Sequence, residues 1–262
     1  MKVAIAQPTH LPWLGYFDLI DQVDAFVILD SVQFEKQSWQ QRNRIKTPTG
    51  LQWLTVPVLF RGRFGQLIQD VEIRDCDFVR NHLRAIELSY RRASFFDDYF
   101  PELTGKLRCT ERSRLVDLNV RLIEWFMSLL GIRTPLFLSS RLDQPGKRTE
   151  LLANICACVG ASEYVSPLGS AVYLLQEIDI LQRRSIEVVF QNYEHPIYRQ
   201  MFPPFVPYAS ILDLLFNEGE RSLQIVRSGR RTPFLPSQLE IESGPAPDRA
   251  ARIGTQVLTS AQ

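Results

Sequence analysis

Cysteine and histidine are scarce in this chain, four and three in 262 residues, and the scarcity removes several classes of protein at once. Cys76, Cys109, Cys156 and Cys158 lie mostly in segments that read as helix or helix border, so no disulfide framework is expected in a chain this long. Cys156-Ala157-Cys158 has no second ligand pair at metal spacing, and no metal site is expected. No apolar run approaches the roughly 18–20 residues that span a bilayer. Pro8 and His10 interrupt the stretch where a signal peptide would need unbroken apolar residues, so the expected compartment is cytoplasmic. Charge of either sign is also not in excess. Thirty basic and 29 acidic residues leave +1, which gives no general attraction to nucleic acid or to an anionic membrane. An anion would have to be held by a local cluster. No fixed-period repeat, P-loop or G-x-S-x-G elbow occurs.

What is present is enough apolar material, 45% of the chain, to bury a substantial core. Strands are predicted near 3–6 and 25–29, a helix near 15–22, an extended pair near 52–58 and 69–73, and helices near 77–92 and 112–130. Strands at 136–138, 163–165 and 186–190 then alternate with helices over 148–158 and 173–183. Such alternation predicts an α/β fold, a mainly parallel, open, Rossmann-like sheet of five strands with helices on both faces. Residues 31–110 interrupt the order and read as an inserted α+β segment, a subdomain or lid within a single domain of residues 1–235. From 236 to 262 the apolar periodicity gives way to Pro, Ser, Gly and Ala, and a disordered tail is expected.

Open α/β sheets place ligands beyond the carboxyl ends of their strands, so functional residues are sought there. The first strand runs into Gln7-Pro8-Thr9-His10-Leu11-Pro12-Trp13-Leu14-Gly15-Tyr16. This polar, aromatic turn opens a helix whose first N–H groups are free, and Gly15 permits close approach. The second strand ends in Asp30 and delivers Gln33, Trp39, Asn43 and the basic cluster Arg42, Arg44 and Lys46; cations beside amides suit an anion. Tyr164-Val165-Ser166-Pro167-Leu168-Gly169-Ser170 repeats the strand-turn-helix arrangement ahead of Tyr173. Ser166 has no His and acid at triad spacing, so it is assigned to binding rather than to nucleophilic attack. A second candidate wall is Gly146-Lys147-Arg148-Thr149.

Past the last strand, His195, Tyr198 and Gln200 gather in a loop, and Asp213 stands among apolar neighbours where its carboxylate needs a partner. Two readings stay open for each candidate histidine. His10 either caps the first helix or stabilises charge on an α-phosphate; His195 either packs as a hydrogen-bonded residue or serves as a general base toward an amine. His82, on a helix, reads as structural.

The ordered series QPTHLPWLGYF at 7–17, DAFVILDSVQFEKQSWQQRNRIK at 24–46, WLTVPV at 53–58, HLRAIELSY at 82–90, SFFDDYFPEL at 94–103, LVDLNVRLIEWF at 115–126, GASEYVSPLGSAVYL at 160–174 and HPIYRQMFPPFVPYASILDLLFNEG at 195–219 resembles the WbqC-like protein family. Members of that family are found with genes for O-antigen and other surface polysaccharides. The resemblance implies a transferase or ligase that attaches an acyl or aminoacyl group, such as glycyl, to a nucleotide-linked amino sugar. Its alternative is a non-catalytic binding or scaffold protein of polysaccharide assembly. At fold level alone the pattern is similar to nucleotidylyltransferase-like enzymes and pantothenate synthetases, where two histidines and a glycine hold the ATP phosphates; this turn offers only His10.

Residue chemistry and resemblance together give His10, Asp30, Arg42 and His195 as catalytic candidates. Gln7, Trp13, Gly15, Tyr16, Gln33, Trp39, Asn43, Arg44, Lys46, Tyr164, Ser166, Gly169, Tyr173, Tyr198 and Gln200 are the substrate-binding candidates. ATP with Mg, acyl-CoA and aminoacyl-tRNA all stay open as acyl donors, and nucleic acid is not otherwise expected as a partner. Asp75-Cys76-Asp77 leaves a nucleotide-sugar glycosyltransferase open as well.

Overall fold

The computed structural model describes residues 1–108, 110 and 112–239. In chain order these form β1 (Lys2–Ala6), α1 (Leu14–Asp21), β2 (Ala25–Ile28), a hairpin of β3 (Arg42–Thr47) and β4 (Gly50–Thr55), α2 (Asp77–Tyr90), α3 (Phe96–Lys106) and α4 (Leu115–Leu130). There follow β5 (Leu136–Leu138), α5 (Ser139–Leu142), α6 (Arg148–Cys158), β6 (Glu163–Ser166), α7 (Ala171–Leu174), α8 (Asp179–Gln182), β7 (Glu187–Phe190), α9 (Ile211–Glu218) and α10 (Ser222–Ser228).

Five strands pair in parallel in the order β5-β2-β1-β6-β7, the α/β architecture that the alternation predicts. Alternate strand residues serve opposite faces. Ala4, Phe26 and Ile28 join one core with Phe17 of α1, Phe126 of α4 and Ile211 of α9, whereas Val3, Ile5, Ala25 and Val27 join a second with Leu152 and Ile155 of α6 and Leu181 of α8. Taken in chain order the parallel strands run 3-2-1-4-5 across the sheet, so successive connections leave β1 in opposite directions. β1 and β6 pair only at Lys2↔Glu163 and Val3↔Tyr164, although β1 continues along β2 to Ala6↔Ile28 and β6 along β7 to Ser166↔Phe190. The sheet therefore parts between β1 and β6 at its carboxyl end. That is the switch point at which such sheets hold ligands.

Three expectations are corrected. The extended stretch near 52–58 does not pair along its length with 69–73: β4 pairs antiparallel with β3, Arg44 opposite Trp53, and Val58 meets Ile73 only in an isolated bridge. β3 escapes a hydrophobicity pattern because its buried positions are polar; Asn43 donates to the Leu11 carbonyl and Lys46 Nζ to that of Pro204. The helix expected over 173–183 is split into α7 and α8 by 3-10 turns, Leu168–Ser170 before them and Leu175–Glu177 between them. Leu174, Leu175 and Ile178 keep right-handed helical dihedrals, so the break lies in tighter hydrogen bonding, i to i+3. Finally, Cys76 is disulfide-bonded while Cys156 and Cys158 are free; spatial proximity of cysteines is not legible in local segments. Of the expected tail, Pro236–Gln238 form a 3-10 turn and 240–262 lie outside the described residues. Among the described residues no helix is long and apolar enough to cross a membrane.

An ion network fixes α1 against the segment after β7. Buried Asp18 accepts from Arg230 Nε (2.7 Å) and from Gln191 Nε2 (2.9 Å), and Gln191 also donates to the Gly15 carbonyl (2.8 Å). Asp21 accepts from Arg227 through Nε (2.9 Å) and Nη2 (2.8 Å). Burial raises the Asp18 carboxyl above its ordinary range despite these partners, so losing the cation would be felt. Arg230→Ala is expected to cost about 2–4 kcal/mol in urea unfolding, somewhat under the value for a wholly buried pair because 32% of the Arg230 side chain is exposed. Arg183→Ala, in the exposed pair with Asp179, should change stability by under about 0.5 kcal/mol. Equal effects from the two substitutions would refute the assignment.

Candidate functional site

Residues 7–13 leave β1 at the parting of the sheet, and their polar groups are met from distant segments. His10 N donates to the Trp39 carbonyl (2.8 Å), Asn43 Nδ2 to that of Leu11 (2.8 Å) and Ile211 N to that of Pro12 (2.8 Å). Leu11 takes a φ of 45°, a left-handed value that leucine does not favour, so outside bonds hold the turn against its local preference. Gln7 stays exposed and accepts from Gln40 Nε2 (2.8 Å). Tyr16 is buried, donating to the Gln7 carbonyl (3.3 Å).

His10 does not face a phosphate site; it is fully buried. Asn119 Nδ2 donates to the Gln40 carbonyl (2.7 Å), so Asn119 Oδ1 accepts from His10 Nδ1 (3.1 Å). His10 Nε2 lies 3.3 Å from His82 Nε2, and the His82 ring also bonds to the Phe78 backbone. Burial lowers the pKa of His10 to about 4 and that of His82, with the His10 ring beside it, to about 3. The α1 start has no side-chain cap, so capping fails too. His10 is a positioning residue that fastens the turn to α2 and α4.

Arg42 and Arg44 occupy alternate positions of β3, on the hairpin face that carries Trp53. The Arg42 guanidinium lies 4.3 Å from the Trp53 ring centre, and that of Arg44 lies 5.3 Å from both Trp39 and Trp53. The two indoles are 5.3 Å apart. Neither arginine has an ion pair among the described residues, and the Nε of each is buried without a hydrogen-bond partner. Burial lowers the Arg44 pKa, yet guanidinium keeps its charge. Two half-buried guanidiniums on an aromatic floor, with donors unmet, make a site for an oxyanion.

The His195 loop adjoins this hairpin. Ser210 N donates to the Arg44 carbonyl (2.8 Å), and Ser210 bridges to Trp13. The Trp13 indole lies over Gly15, where a Cβ would stand 2.3 Å from it, and stacks on His195 with centroids 6.2 Å apart. Tyr208, Phe205 and Tyr198 complete an aromatic box at 5.2, 5.8 and 6.2 Å from the imidazole. His195 Nδ1 donates to the Pro196 carbonyl (2.9 Å), leaving the lone pair on Nε2, which is buried and unpartnered. Burial lowers the His195 pKa, so at neutral pH it is an uncharged proton acceptor, the state a general base needs.

Other candidates act behind the site. Asp213, buried on α9, accepts from Tyr90 OH (2.9 Å), Tyr198 OH (2.7 Å) and Gln200 Nε2 (2.9 Å), and Tyr90 OH accepts from Lys46 N (2.9 Å). Lys46, Tyr198 and Gln200 thus tie the His195 loop to β3. Asp30, expected as a catalytic carboxylate, instead clamps β2 to α5: it accepts from Ser139 Oγ (2.9 Å), Ser140 N (2.8 Å) and Ser140 Oγ (2.6 Å). Ser166 is buried at the end of β6, 3.4 Å from Tyr164 OH and in short contact with Ser170 Oγ. Gly169 is exposed, Tyr173 lies 5.9 Å from the Arg148 guanidinium, and exposed Gln33 bridges to Leu67. Trp53, Gln40, Asn119 and Tyr90 carry roles that no local sequence signal marks; only the hairpin register and tertiary packing reveal them. Hollows of about 210 Å³ beside β5 and 760 Å³ along α2 lie away from these residues.

The paired imidazoles generate a pH dependence. Both titrate lower in the folded state than in the unfolded chain, so below about pH 6.5 the unfolded state binds the extra protons and stability declines as pH falls toward about 4, by up to about 1.4 kcal/mol per pH unit for each ring. Asp18 and Asp213, raised by burial, act in the opposite sense, which makes a variant comparison necessary. His82→Gln, whose amide can donate to His10 Nε2, removes one titration. The wild-type loss between about pH 7 and about pH 5, from urea unfolding, should exceed that of the variant; parallel pH profiles would show that the pair is not buried and neutral.

The turn, the hairpin and the His195 loop all fall within residues 7–225, the span over which the chain matches the WbqC-like protein family. The chain is 40% identical over 231 residues to the uncharacterized protein Rv1507c of Mycobacterium tuberculosis (strain ATCC 25618 / H37Rv), covering 88% of this chain and 99% of that protein. No solved structure matches it. On the extent of these matches, the chain belongs to the WbqC-like protein family.

Proposed function

We propose that the protein is a cytoplasmic transferase or ligase that attaches an acyl or aminoacyl group to a nucleotide-linked amino sugar in surface polysaccharide synthesis. The observation that carries this reading is the pair Arg42 and Arg44, stacked on Trp39 and Trp53 with no ion pair among the described residues and buried Nε atoms unmet. A nucleoside diphosphate supplies what they lack, oxygens for the guanidinium donors and a flat ring for the indoles. Family membership supports the polysaccharide setting.

His195 is the proton acceptor in this scheme. The sugar amine attacks the acyl carbonyl, the C–N bond forms, and the nitrogen becomes acidic enough for a base of lowered pKa to take its proton at Nε2. The bond to the leaving group then breaks. Gly15 keeps Trp13 in place behind the imidazole, and Asp213, through Tyr198 and Gln200, holds the loop.

Thermal unfolding tests the reading against UDP- and dTDP-linked amino sugars, ATP and CoA. A nucleotide sugar at about a hundred times its Kd should add about 2.7 kcal/mol of stability, seen as a rise of several degrees in Tm. Arg42→Ala and Arg44→Ala should abolish the rise. His195→Asn should keep it and lower transfer by about 10²–10⁴-fold. A flat response to the whole panel, or a rise that survives both arginine substitutions, defeats the proposal.

A further inference from the structure

From Lys36 to Gln66 the chain carries six basic residues (Lys36, Arg42, Arg44, Lys46, Arg61 and Arg63), four aromatic ones (Trp39, Trp53, Phe60 and Phe64) and no acidic residue. The rest of the chain holds all 29 acidic residues and is net acidic. A near-neutral protein has thus segregated its charge.

The fold buries Lys46 on the Pro204 carbonyl and pairs Arg63 with Glu72 (3.3 Å), and it lays the others along the hairpin and the 59–66 loop. Val56 N donates to the Gln41 carbonyl, tying the end of β4 beside Arg42, and the chain then runs directly to Phe60. The Lys36 ammonium lies 3.8 Å over the Phe60 ring. Phe34 N donates to the Gln66 carbonyl and Gln33 bridges to Leu67, closing the 59–66 loop onto the segment that leads to Trp39. Gly62 and Gly65 have φ of 75° and 72°, turns open to glycine, and between them Phe64 is 99% exposed. Phe60 and Trp53 are 42% and 41% exposed.

Folding gives no reason to present these rings to water. Three of the four carry a cation against the ring, and Arg61 is exposed beside Phe60. Alternating rings and cations along a strip is the arrangement that binds single-stranded nucleic acid, bases stacking on rings while cations follow the phosphates. A bilayer would be met instead by clustered, unobstructed apolar side chains.

We propose that the exposed end of this strip, Lys36, Phe60, Arg61 and Phe64, binds a single-stranded RNA end beside the Arg42–Arg44 site, which is left to the nucleotide sugar, and that the acyl donor reaches the site as an aminoacyl ester on that 3′ terminus; the second clause rests on the transferase reading above. The reaction then balances without ATP. The sugar amine attacks the ester carbonyl, the C–N bond forms, the ester C–O bond breaks, and the proton passes by way of His195 to the departing ribose oxygen, giving an amide and a free 3′-hydroxyl.

The test is fluorescence anisotropy of the full chain with a labelled RNA of about 12 nucleotides ending in CCA, single-stranded and as a blunt duplex. The single strand should bind more tightly. Raising salt from roughly 50 to 200 mM should weaken it by about 50-fold if four phosphates are contacted. Phe64→Ala, at a fully exposed site, and Phe60→Ala should each weaken binding by about 5- to 100-fold. Binding that ignores both substitutions overturns the proposal, as does no RNA binding with Phe64-dependent sedimentation on phosphatidylglycerol vesicles. The nucleotide-sugar Tm shift, measured on the same preparation, separates the two readings. A shift without RNA binding removes the strip alone, whereas RNA binding without a shift removes the transferase and keeps the strip.

Discussion

The hydrogen bonds that hold the turn after β1 come from outside it, from Trp39 and Asn43 before and in β3, from Ile211 of α9, and from Asn119 and His82 around His10. Leu11 at positive φ costs on the order of 1–2 kcal/mol, and the external bonds offset it. Hairpin, α9 and turn therefore move as one body. With β1 and β6 already parted above Val3 and Tyr164, this body forms one wall of the crevice, and the wall is as rigid as the buried network behind it.

The distribution of charge follows from the same packing. Asp30 is satisfied by two serines, and Asp213 by two tyrosines and an amide. Had either carboxylate lain beside Arg42 or Arg44, the pair would have closed on itself, since opposite charges in a poorly hydrated setting attract strongly. Neutral donors quench the acids, and indoles support the arginines without consuming their N–H groups. The proposed anion site thus arises in a chain of net charge +1, by arrangement rather than by excess.

Much of this architecture can be read from the sequence, and the limits have physical causes. β1, β2, β5, β6 and β7 are apolar runs punctuated by helices, which is why the parallel sheet is legible. β3 is not, because Asn43 and Lys46 are buried through hydrogen bonds to Leu11 and Pro204, and a pattern of hydrophobicity does not register buried polar groups. Asp30 stands where a catalytic carboxylate would stand; only Ser139 and Ser140, across 109 and 110 residues, show it to be a clamp. The turn and the basic cluster are visible as compositions, but whether each side chain points outward is decided by partners far away in sequence.

The two candidate histidines show this most clearly. His10 and His195 both follow strand ends, His10 two residues from Pro8 and Pro12 and His195 beside Pro196, and nothing local distinguishes them. Contacts do. His10 Nδ1 donates to Asn119 and its Nε2 faces the His82 ring at 3.3 Å, so each nitrogen has a polar neighbour in the closed core. His195 has one nitrogen engaged and the other buried without a partner, an arrangement that costs roughly 1–3 kcal/mol for the missing bond. The aromatic box offers no donor to Nε2, so that cost is relieved only when something enters and donates to it. In the proposed reaction the proton of the attacking amine is such a donor, which is why the proposal assigns the base to the unsatisfied histidine and not to the satisfied one.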